Sequence, residues 1–450
     1  MNRYCLEIPV KYKGVEIMMI DRVTTGGFRN IKKINLVFDG MLALVSPNSY
    51  GKSNLIQAID FGLEFISSPQ EVKRHMMSWI GGVPLNRQMD SDDYYIEFEM
   101  TTKVNKIDYK ILYGYQFRWL RNDNTGARIT EEWLKVKIND KNQKYNNYIM
   151  RTDEKALYRT SETGRCSNKI SIDSDELIIN KLKAYDFLYY SEIIKRINNM
   201  NMYIERHLDA SSSYIFDPFV RTDRDVLQIE DSMNVPRVIF YLKNMYPDKY
   251  ELLVESFMLL FPTITNIIVD ELETKERNVI AEIPEDVPLR IDNRFYTLRV
   301  VDSNLNQPIS FERISDGAKR VFLILTSIIL ADINGYSIIA IEEPENSIHP
   351  SLLQKYLRVL SQFIVNCKII ITSHSPYIIQ YLEPHNIYIG IPCSTGLAKF
   401  SRIRQSAQKT IINDSSKLGM STGDFIFDLL SGADEDLSSL QRYLEENANG

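Results

Sequence analysis

Residues Ser46 to Ser53 read SPNSYGKS. A glycine, a lysine and a hydroxyl in direct succession at the start of a helix can hold a polyphosphate. The glycine leaves room for close backbone approach, and the helix N-terminus turns N–H groups toward negative charge. Lys52 would reach the β- and γ-phosphates, and the Ser53 hydroxyl would ligate Mg²⁺. Gly51, Lys52 and Ser53 match the phosphate-loop template GxxxxGK[ST], with Ser46 where the first glycine belongs. That glycine mainly eases the turn, so serine serves if its φ stays accessible. Ser46, Asn48, Ser49, Gly51, Lys52, Ser53 and Asn54 are the candidate nucleotide contacts. A chance Gly-Lys-Ser in a loop is the plain alternative. Against it stand a short apolar run before the motif (MLALV) and apolar residues at helical spacing after it (NLIQAIDFGLEFI).

Residues Ser337 to Pro350 read SIIAIEEPENSIHP. An apolar strand ending in two carboxylates is what a nucleotide hydrolase needs opposite its phosphate loop. Glu342 would hold the Mg²⁺ shell through water, and Glu343 would orient or deprotonate the attacking water. Taken alone, this is equally a strand ending at a solvated acidic turn. The next apolar run ends in IIITSHSP, which places His374 within reach of the γ-phosphate or the water. One strand–helix–strand unit fits between Glu343 and His374.

Ser315-Asp316-Gly317 opens a long apolar helix in FERISDGAKRVFLIL. A serine hydroxyl, a glycine N–H and a helix N-terminus make a second anion site. A chain with one phosphate loop has little use for a second site in cis. In trans, Ser315 and Gly317 of one copy could close on the γ-phosphate held by another. The simpler alternative is an ordinary serine N-cap.

These residues must be positioned by two α/β blocks. The first spans Val15 to Leu63. The second runs from Phe311, with a helix over Gly317–Ile329, a strand at SIIAI, a helix at SLLQKYLRVLSQFI and a strand at KIIIT. Alternation of this kind implies a mostly parallel sheet under helical cover. Between the blocks, Asp92 to Ile149 alternates aromatic and polar residues with turn signals at NDNTG and NDKNQ, as an antiparallel meander does. Ser174–Ile204 reads as helical and Arg206–Asp231 as a polar loop. Val235–Leu260 reads as two helices broken at Tyr246-Pro247, and TNIIVDEL, NVIAEI and FYTLRVVD read as strands. The expected division is 1–150 for the N-terminal half of an ATP-binding head with a β lobe and 151–275 for a mainly helical arm. Residues 276–400 complete the head, and 401–450 form a tail suited to oligomer or partner contact.

The chain has 450 residues and a formal net charge of −6. That balance argues against a surface that grips nucleic acid throughout, though not against a local basic groove. No apolar run reaches the roughly 18 residues of a membrane span, and the N-terminus shows no apolar leader. Four cysteines without CxxC spacing make a disulfide framework or zinc site unexpected. A cytoplasmic location is the expectation.

The set GFRNIKKINLVF, ALVSPNSYGKSNLIQAI, RISDGAKR, IIAIEEPENSIHP and ITSHSPYII resembles the ABC ATPases, and within them the SMC/RecF/OLD group. EEPE followed by His349-Pro350 is most like the OLD-type ATPases. The resemblance implies an α/β fold: an ABC-type head of mixed sheet with an antiparallel β subdomain, interrupted here by a short helical arm. It implies ATP and Mg²⁺ as cofactors, a D-loop at Glu345–Pro350, and a homodimer closed around ATP that larger homo-oligomers could extend. Ser46 departs from the family pattern, as does Ala318, where transporter signatures often carry Gln or Glu. Gln88 is a candidate Q-loop residue, otherwise an ordinary loop residue. The stretch from Lys52 to Ser315 is longer than in a transporter cassette and lacks the heptads of a full SMC arm. The chain after Leu382 is short for a fused TOPRIM nuclease, and no HNH-like spacing appears. The chain is therefore similar to stand-alone ATPases of Septu-type and PARIS-type anti-phage systems, which work with a separate effector nuclease. A RecF-like DNA-binding repair or maintenance ATPase is the alternative, and a toxin acting alone is a third reading.

Overall fold

The computed structural model describes residues 18–78, 83–121, 123, 125–205, 219–221, 226–229, 233–273, 287–291, 294–346, 348–363, 367–391, 394–432 and 434–445. In chain order the first elements are β1 (Met18–Phe28), β2 (Ile31–Val37), β3 (Leu42–Val45), α1 (Lys52–Ser67) and α2 (Gln70–Met76). A meander follows: β4 (Tyr94–Val104), β5 (Ile107–Arg118), β6 (Arg128–Ile138), β7 (Asn146–Arg151), β8 (Ala156–Tyr158) and β9 (Asn168–Lys169). Then come α3 (Ile178–Leu182), α4 (Ser191–Asn198), β10 (Met202–Glu205), β11 (Phe219–Arg221), α5 (Val235–Met245) and α6 (Pro247–Leu260). They lead to β12 (Ile264–Glu273), β13 (Leu289–Ile291), β14 (Arg294–Asp302) and β15 (Ile309–Ser310). The C-terminal part carries α7 (Asp316–Ile333), β16 (Ile338–Glu342), α8 (Pro350–Gln362), β17 (Lys368–Ser373), α9 (Pro376–Tyr381), β18 (Ile387–Ile391) and β19 (Lys399–Arg402). It ends in α10 (Gln408–Lys417), α11 (Thr422–Ser431) and α12 (Asp434–Gln441).

Two sheets frame the molecule. One is antiparallel with order β2-β1-β4-β5-β6-β7-β8-β9, and the other has order β10-β16-β17-β3-β18-β19. In the second sheet only the β18–β19 pairing is antiparallel; β3, β10, β16, β17 and β18 run parallel. Parallel strands covered on both faces read as continuous apolar runs, and LALV of β3 is buried at all four positions. Their side chains alternate between two cores. Ala43, Val45, Ile339, Ile341, Ile369 and Ile371 join the core around α7 and α8. Leu42, Leu44, Ile338, Ala340 and Ile370 join the core that holds α1 and the antiparallel lobe. The alternation clamps α1 between the two sheets. Tyr94 and Tyr115 of the lobe donate hydroxyl hydrogen bonds to the α1 carbonyls of Ala58 (2.8 Å) and Gly62 (2.7 Å). A Cβ on Gly62 would sit 2.4 Å from Ile96 and from the Tyr94 hydroxyl, so glycine is what lets the lobe close on the helix.

Several expectations hold at the element level. The helix break at Tyr246-Pro247, the strands at β12 and β14, and the alternation α7-β16-α8-β17 all appear. The helical reading of Ser174–Ile204 needs correction. It yields two short helices, and Met202–Glu205 is a strand paired in parallel with β16. That strand covers an edge of the parallel sheet that would otherwise expose unpaired backbone. The stretch 151–275, expected to be mainly helical, also holds β8, β9, β10, β11 and β12, and β7 crosses position 150. NVIAEI and most of Arg206–Asp231 lie outside the described residues. The tail helices fold back on the head: a Cβ on Gly423 of α11 would lie 2.1 Å from the carbonyl oxygen of Pro376, the first residue of α9. Among the described residues no helix is long and apolar enough to cross a membrane.

Candidate functional site

The C-terminal ends of β3, β16 and β17 lie side by side, as the pairings Ile371↔Ala43 and Glu342↔Thr372 require. A loop leaving β3 therefore opens beside the ends of β16 and β17, where ligands of α/β sheets bind. Gly51, the residue before α1, has φ +104°, and Ser49 has φ +62°. A Cβ on Gly51 would come 2.7 Å from the Ala398 methyl, so both the turn and its packing need glycine. Ser46 is fully buried, its N–H pointing to the Ser373 carbonyl at 3.4 Å. Gly390 accommodates it: a Cβ there would meet the Ser46 Cβ at 2.7 Å. The serine that replaces the first template glycine is thus seated in the sheet, and the tight turn falls to Ser49 and Gly51.

Lys52 is buried, and its Nζ donates to the carbonyls of Ser46 (2.8 Å) and Pro47 (3.2 Å). Burial pulls its ammonium down from the ordinary lysine range, against the opposing charges of Glu343, Glu345 and Glu342. The ammonium lies within its own loop, held by groups that a phosphate would outcompete. The Ser53 hydroxyl donates to Glu342 Oε1 at 2.9 Å. Asn54 accepts from Arg29 Nη1 (3.0 Å) and donates to Asn30 Oδ1 (2.8 Å), while Asn30 donates to the Gly396 carbonyl (3.2 Å). Hydrogen bonds of this kind join the β1–β2 turn to the first turn of α1.

At the strand ends, Glu343 takes φ +46°, a left-handed conformation that costs a non-glycine residue about 1 kcal/mol or more. Its N–H donates to the Thr372 carbonyl at 2.9 Å. Its Oε1 lies 3.0 Å from His374 Nδ1, and its Oε2 accepts from Asn346 Nδ2 at 2.8 Å. Burial alone would push the carboxyl up. The hydrogen bond from Asn346, the charge and hydrogen bond of His374, and the Lys52 charge outweigh it and hold Glu343 below its ordinary value. The result is an ionised carboxylate whose two oxygens are fixed, next to an imidazole: the parts of a water-activating pair. Glu345, two residues on, accepts from the Ser373 hydroxyl.

Ser315 and Asp316 are exposed and Gly317 is half-buried. Ser315 Oγ accepts from the Ala318 N–H at 3.3 Å, which is the ordinary N-cap of α7. Among the described residues, no hydrogen bond joins Ser315 or Gly317 to the phosphate loop of the same chain. Gln88 is exposed on a short 3₁₀ turn (Arg87–Met89), and among the described residues no hydrogen bond joins it to the loop. Asn48 likewise has no described bond to the other site residues.

Three groups at the site lie within the sequence motifs but were given no role by them. Arg29 and Asn30 reach Asn54 from the β1–β2 turn; the run GFRNIKKINLVF contains them but assigns them no role. Arg320 of α7 is buried, forms a two-pronged pair with Glu205 (2.9 and 3.1 Å), and donates to the Glu342 carbonyl at 3.2 Å. It closes the run RISDGAKR, beside Lys319 and just before the apolar run VFLILTSIIL, and that place was its available signal. Burial pushes Glu205 up to about 7 despite the Arg320 charge. The arginine joins the helix opened by Ser315 to the strand that carries Glu342.

The residues fit ATP with Mg²⁺. Ser53 Oγ and Glu342 Oε1 are hard oxygen donors side by side at a helix N-terminus, and Mg²⁺ takes few protein ligands beside phosphate and water. No cluster of three or more His, Cys, Asp or Glu able to hold a metal occurs among the described residues. Bound there, Mg²⁺ would offset phosphate charge. The chain's own residues would grip the phosphates through Lys52 and the loop N–H groups and orient a water through Glu343 and His374.

The chain is similar to a protein of Escherichia coli described as "Retron Ec83 probable ATPase", with 22% identity over 406 residues, 84% of this chain and 69% of the relative. Among solved structures it is similar to an SMC head bound to the C-terminal winged-helix domain of ScpA, at 13% identity and a TM-score of 0.45. That match covers 87% of this chain and 99% of the other. It is also similar to the recombination mediator protein RecF with a bound nucleotide, at 13% identity and a TM-score of 0.36, covering 86% of this chain and all of that one. The family profile described as "AAA ATPase domain" matches residues 18–379. Those residues hold the phosphate loop, both strand-end carboxylates and His374, and the chain belongs to this ATPase family.

Proposed function

We propose that this chain hydrolyses ATP with Mg²⁺ between two copies of itself, and that the nucleotide-closed pair governs a separate effector nuclease in a bacterial anti-phage system. One observation carries the hydrolytic reading. Lys52, the Ser53–Glu342 contact and the Glu343–His374 pair meet at one end of the parallel sheet. The exposed Ser315 and the half-buried Gly317, for which no bond to their own phosphate loop occurs among the described residues, support a site shared in trans. Such a pair would be isologous and bury two nucleotides at once. The relative named as the probable ATPase of a retron supports a role as the ATPase part of a larger bacterial system.

The test mixes a Lys52→Ala chain with a Ser315→Arg chain. Each homodimer should be inactive, because one lacks the phosphate contact and the other blocks the facing site. In the mixed dimer both lesions fall on one composite site and the second site is intact, so ATPase activity should return in part. Mixed dimers that form and stay inactive would refute two independently working shared sites. The effector is tested by co-purifying the tagged chain with the protein encoded beside it. Recovery of a nuclease supports the reading, and tight, salt-dependent DNA binding by the chain alone would favour a RecF-like role.

A further inference from the structure

The site holds a third carboxylate that the hydrolytic reading leaves without work. The backbone ladder between β16 and β17 ends at the Glu343 N–H to Thr372 carbonyl bond. Beyond it, among the described residues, the hydrogen bonds that join the two strand ends are made by side chains. Ser373 Oγ accepts from the Ser375 N–H at 2.9 Å and donates to Glu345 Oε1. Ser375 Oγ in turn accepts from the Tyr377 N–H at 3.3 Å, capping α9. His374 is therefore bracketed by Ser373, whose hydroxyl is anchored on Glu345, and by Ser375, whose N–H bonds that hydroxyl. Asn346, the neighbour of Glu345, orients the other oxygen of Glu343.

We infer that Glu345 is a positioning residue for hydrolysis: through Ser373 it fixes the turn that carries His374, so that the imidazole meets Glu343 in one orientation. Its Oε1 takes the Ser373 hydrogen bond and its Oε2 is buried. What the carboxylate supplies is an acceptor at a fixed height above the sheet. It does so on the same turn that holds Asn346 and Glu343, so one contact sets both members of the water-activating pair. A shift of about 1 Å in such a pair can cost about 10²-fold in rate.

The inference rests on the ATPase reading for its kinetic arm, and a nucleotide-free arm keeps the two separable. Full chains of wild type, Glu345→Ala, Ser373→Ala, Glu345→Gln and the Ala double variant are compared. In the first arm, ¹⁵N–¹³C spectra of the histidine rings are recorded without nucleotide. Wild type and Glu345→Gln should show His374 locked as the Nδ1–H tautomer, because Nδ1 faces the Glu343 carboxylate and glutamine keeps the acceptor. Glu345→Ala and Ser373→Ala should show averaged tautomers. In the second arm, each Ala variant should lose roughly 10- to 100-fold in kcat with KM within about threefold. The double variant should be no worse than the poorer single, and Glu345→Gln should stay near wild type. An unchanged His374 spectrum in both Ala variants would overturn the inference, as would Glu345→Gln falling with Glu345→Ala. A chain that never hydrolyses ATP would refute the ATPase reading, and the ring spectra would still decide the positioning role.

Discussion

Arg320→Met should show what holds the helix opened by Ser315 to the strand that ends in Glu342. The Arg320 and Glu205 side chains are 2% and 1% exposed. Removing one member of a buried ion pair strands the other and costs about 3–5 kcal/mol. The Glu342 carbonyl also loses a donor, so the upper part of that range is expected at pH 8. The pH dependence separates this cause from simple loss of packing. Glu205 is already held at about 7, above its ordinary value of 4.5. A carboxyl raised on folding contributes stability that is complete below the unfolded value and is withdrawn as pH rises through the folded one. The gap of two to three units sets an upper bound of roughly 3 kcal/mol withdrawn between pH 4.5 and pH 7. Without Arg320 the carboxyl should titrate higher still. Urea unfolding at pH 5, 6, 7 and 8 should then show Arg320→Met losing least at pH 5 and most at pH 8. Glu205→Gln has no carboxyl to titrate and should flatten this window. The double change Arg320→Met with Glu205→Leu should cost less than Arg320→Met alone, since no charge is left stranded. A pH-independent loss, or a double variant as poor as the sum of the singles, would refute the reasoning.

Lys52→Ala should weaken ATP binding by about 10²-fold or more, the worth of a charge-assisted phosphate contact in a buried loop; unchanged affinity in a titration calorimeter, with the fold intact, would remove the phosphate-loop assignment. Glu343→Gln keeps the shape of the carboxylate but not its basicity, so kcat should fall by about 10²- to 10⁴-fold while ATP still binds and the closed dimer accumulates on a sizing column. Hydrolysis at the wild-type rate would pass the role to Glu342 or His374. Gly51→Ala forces a methyl into φ +104° and against Ala398 at 2.7 Å, which should cost about 1–3 kcal/mol together with most nucleotide affinity. A variant with wild-type unfolding and binding would show that the turn can form without glycine.

The elements of the strand-end site were legible because each is a local pattern with a physical cause. An apolar run ending in Gly-Lys-Ser, or in two glutamates, marks a buried parallel strand that meets solvent only at its end, and β3, β16 and β17 deliver those ends to one place. What stayed hidden is the set of contacts made between distant segments. Glu205 closes a strand read as the end of a helix, since four residues of mixed polarity carry no period that separates β10 from α4. Its partnership with Arg320 spans 115 positions, and no spacing rule connects them. The Arg29–Asn54–Asn30 cluster likewise needs the β1–β2 turn folded against α1 before its residues have any relation. Ser315 shows the opposite limit. Its motif was legible, and within one chain the side chain is the N-cap of α7, bonded to the Ala318 N–H. The phosphate-facing role proposed for it requires a second copy. Arg320 lies five positions after Ser315 on that helix and bonds the Glu342 carbonyl. Under that proposal, a phosphate arriving at Ser315 from a partner would load the strand that holds Glu342 and Glu343, and closure of the pair would be coupled to the placing of these carboxylates.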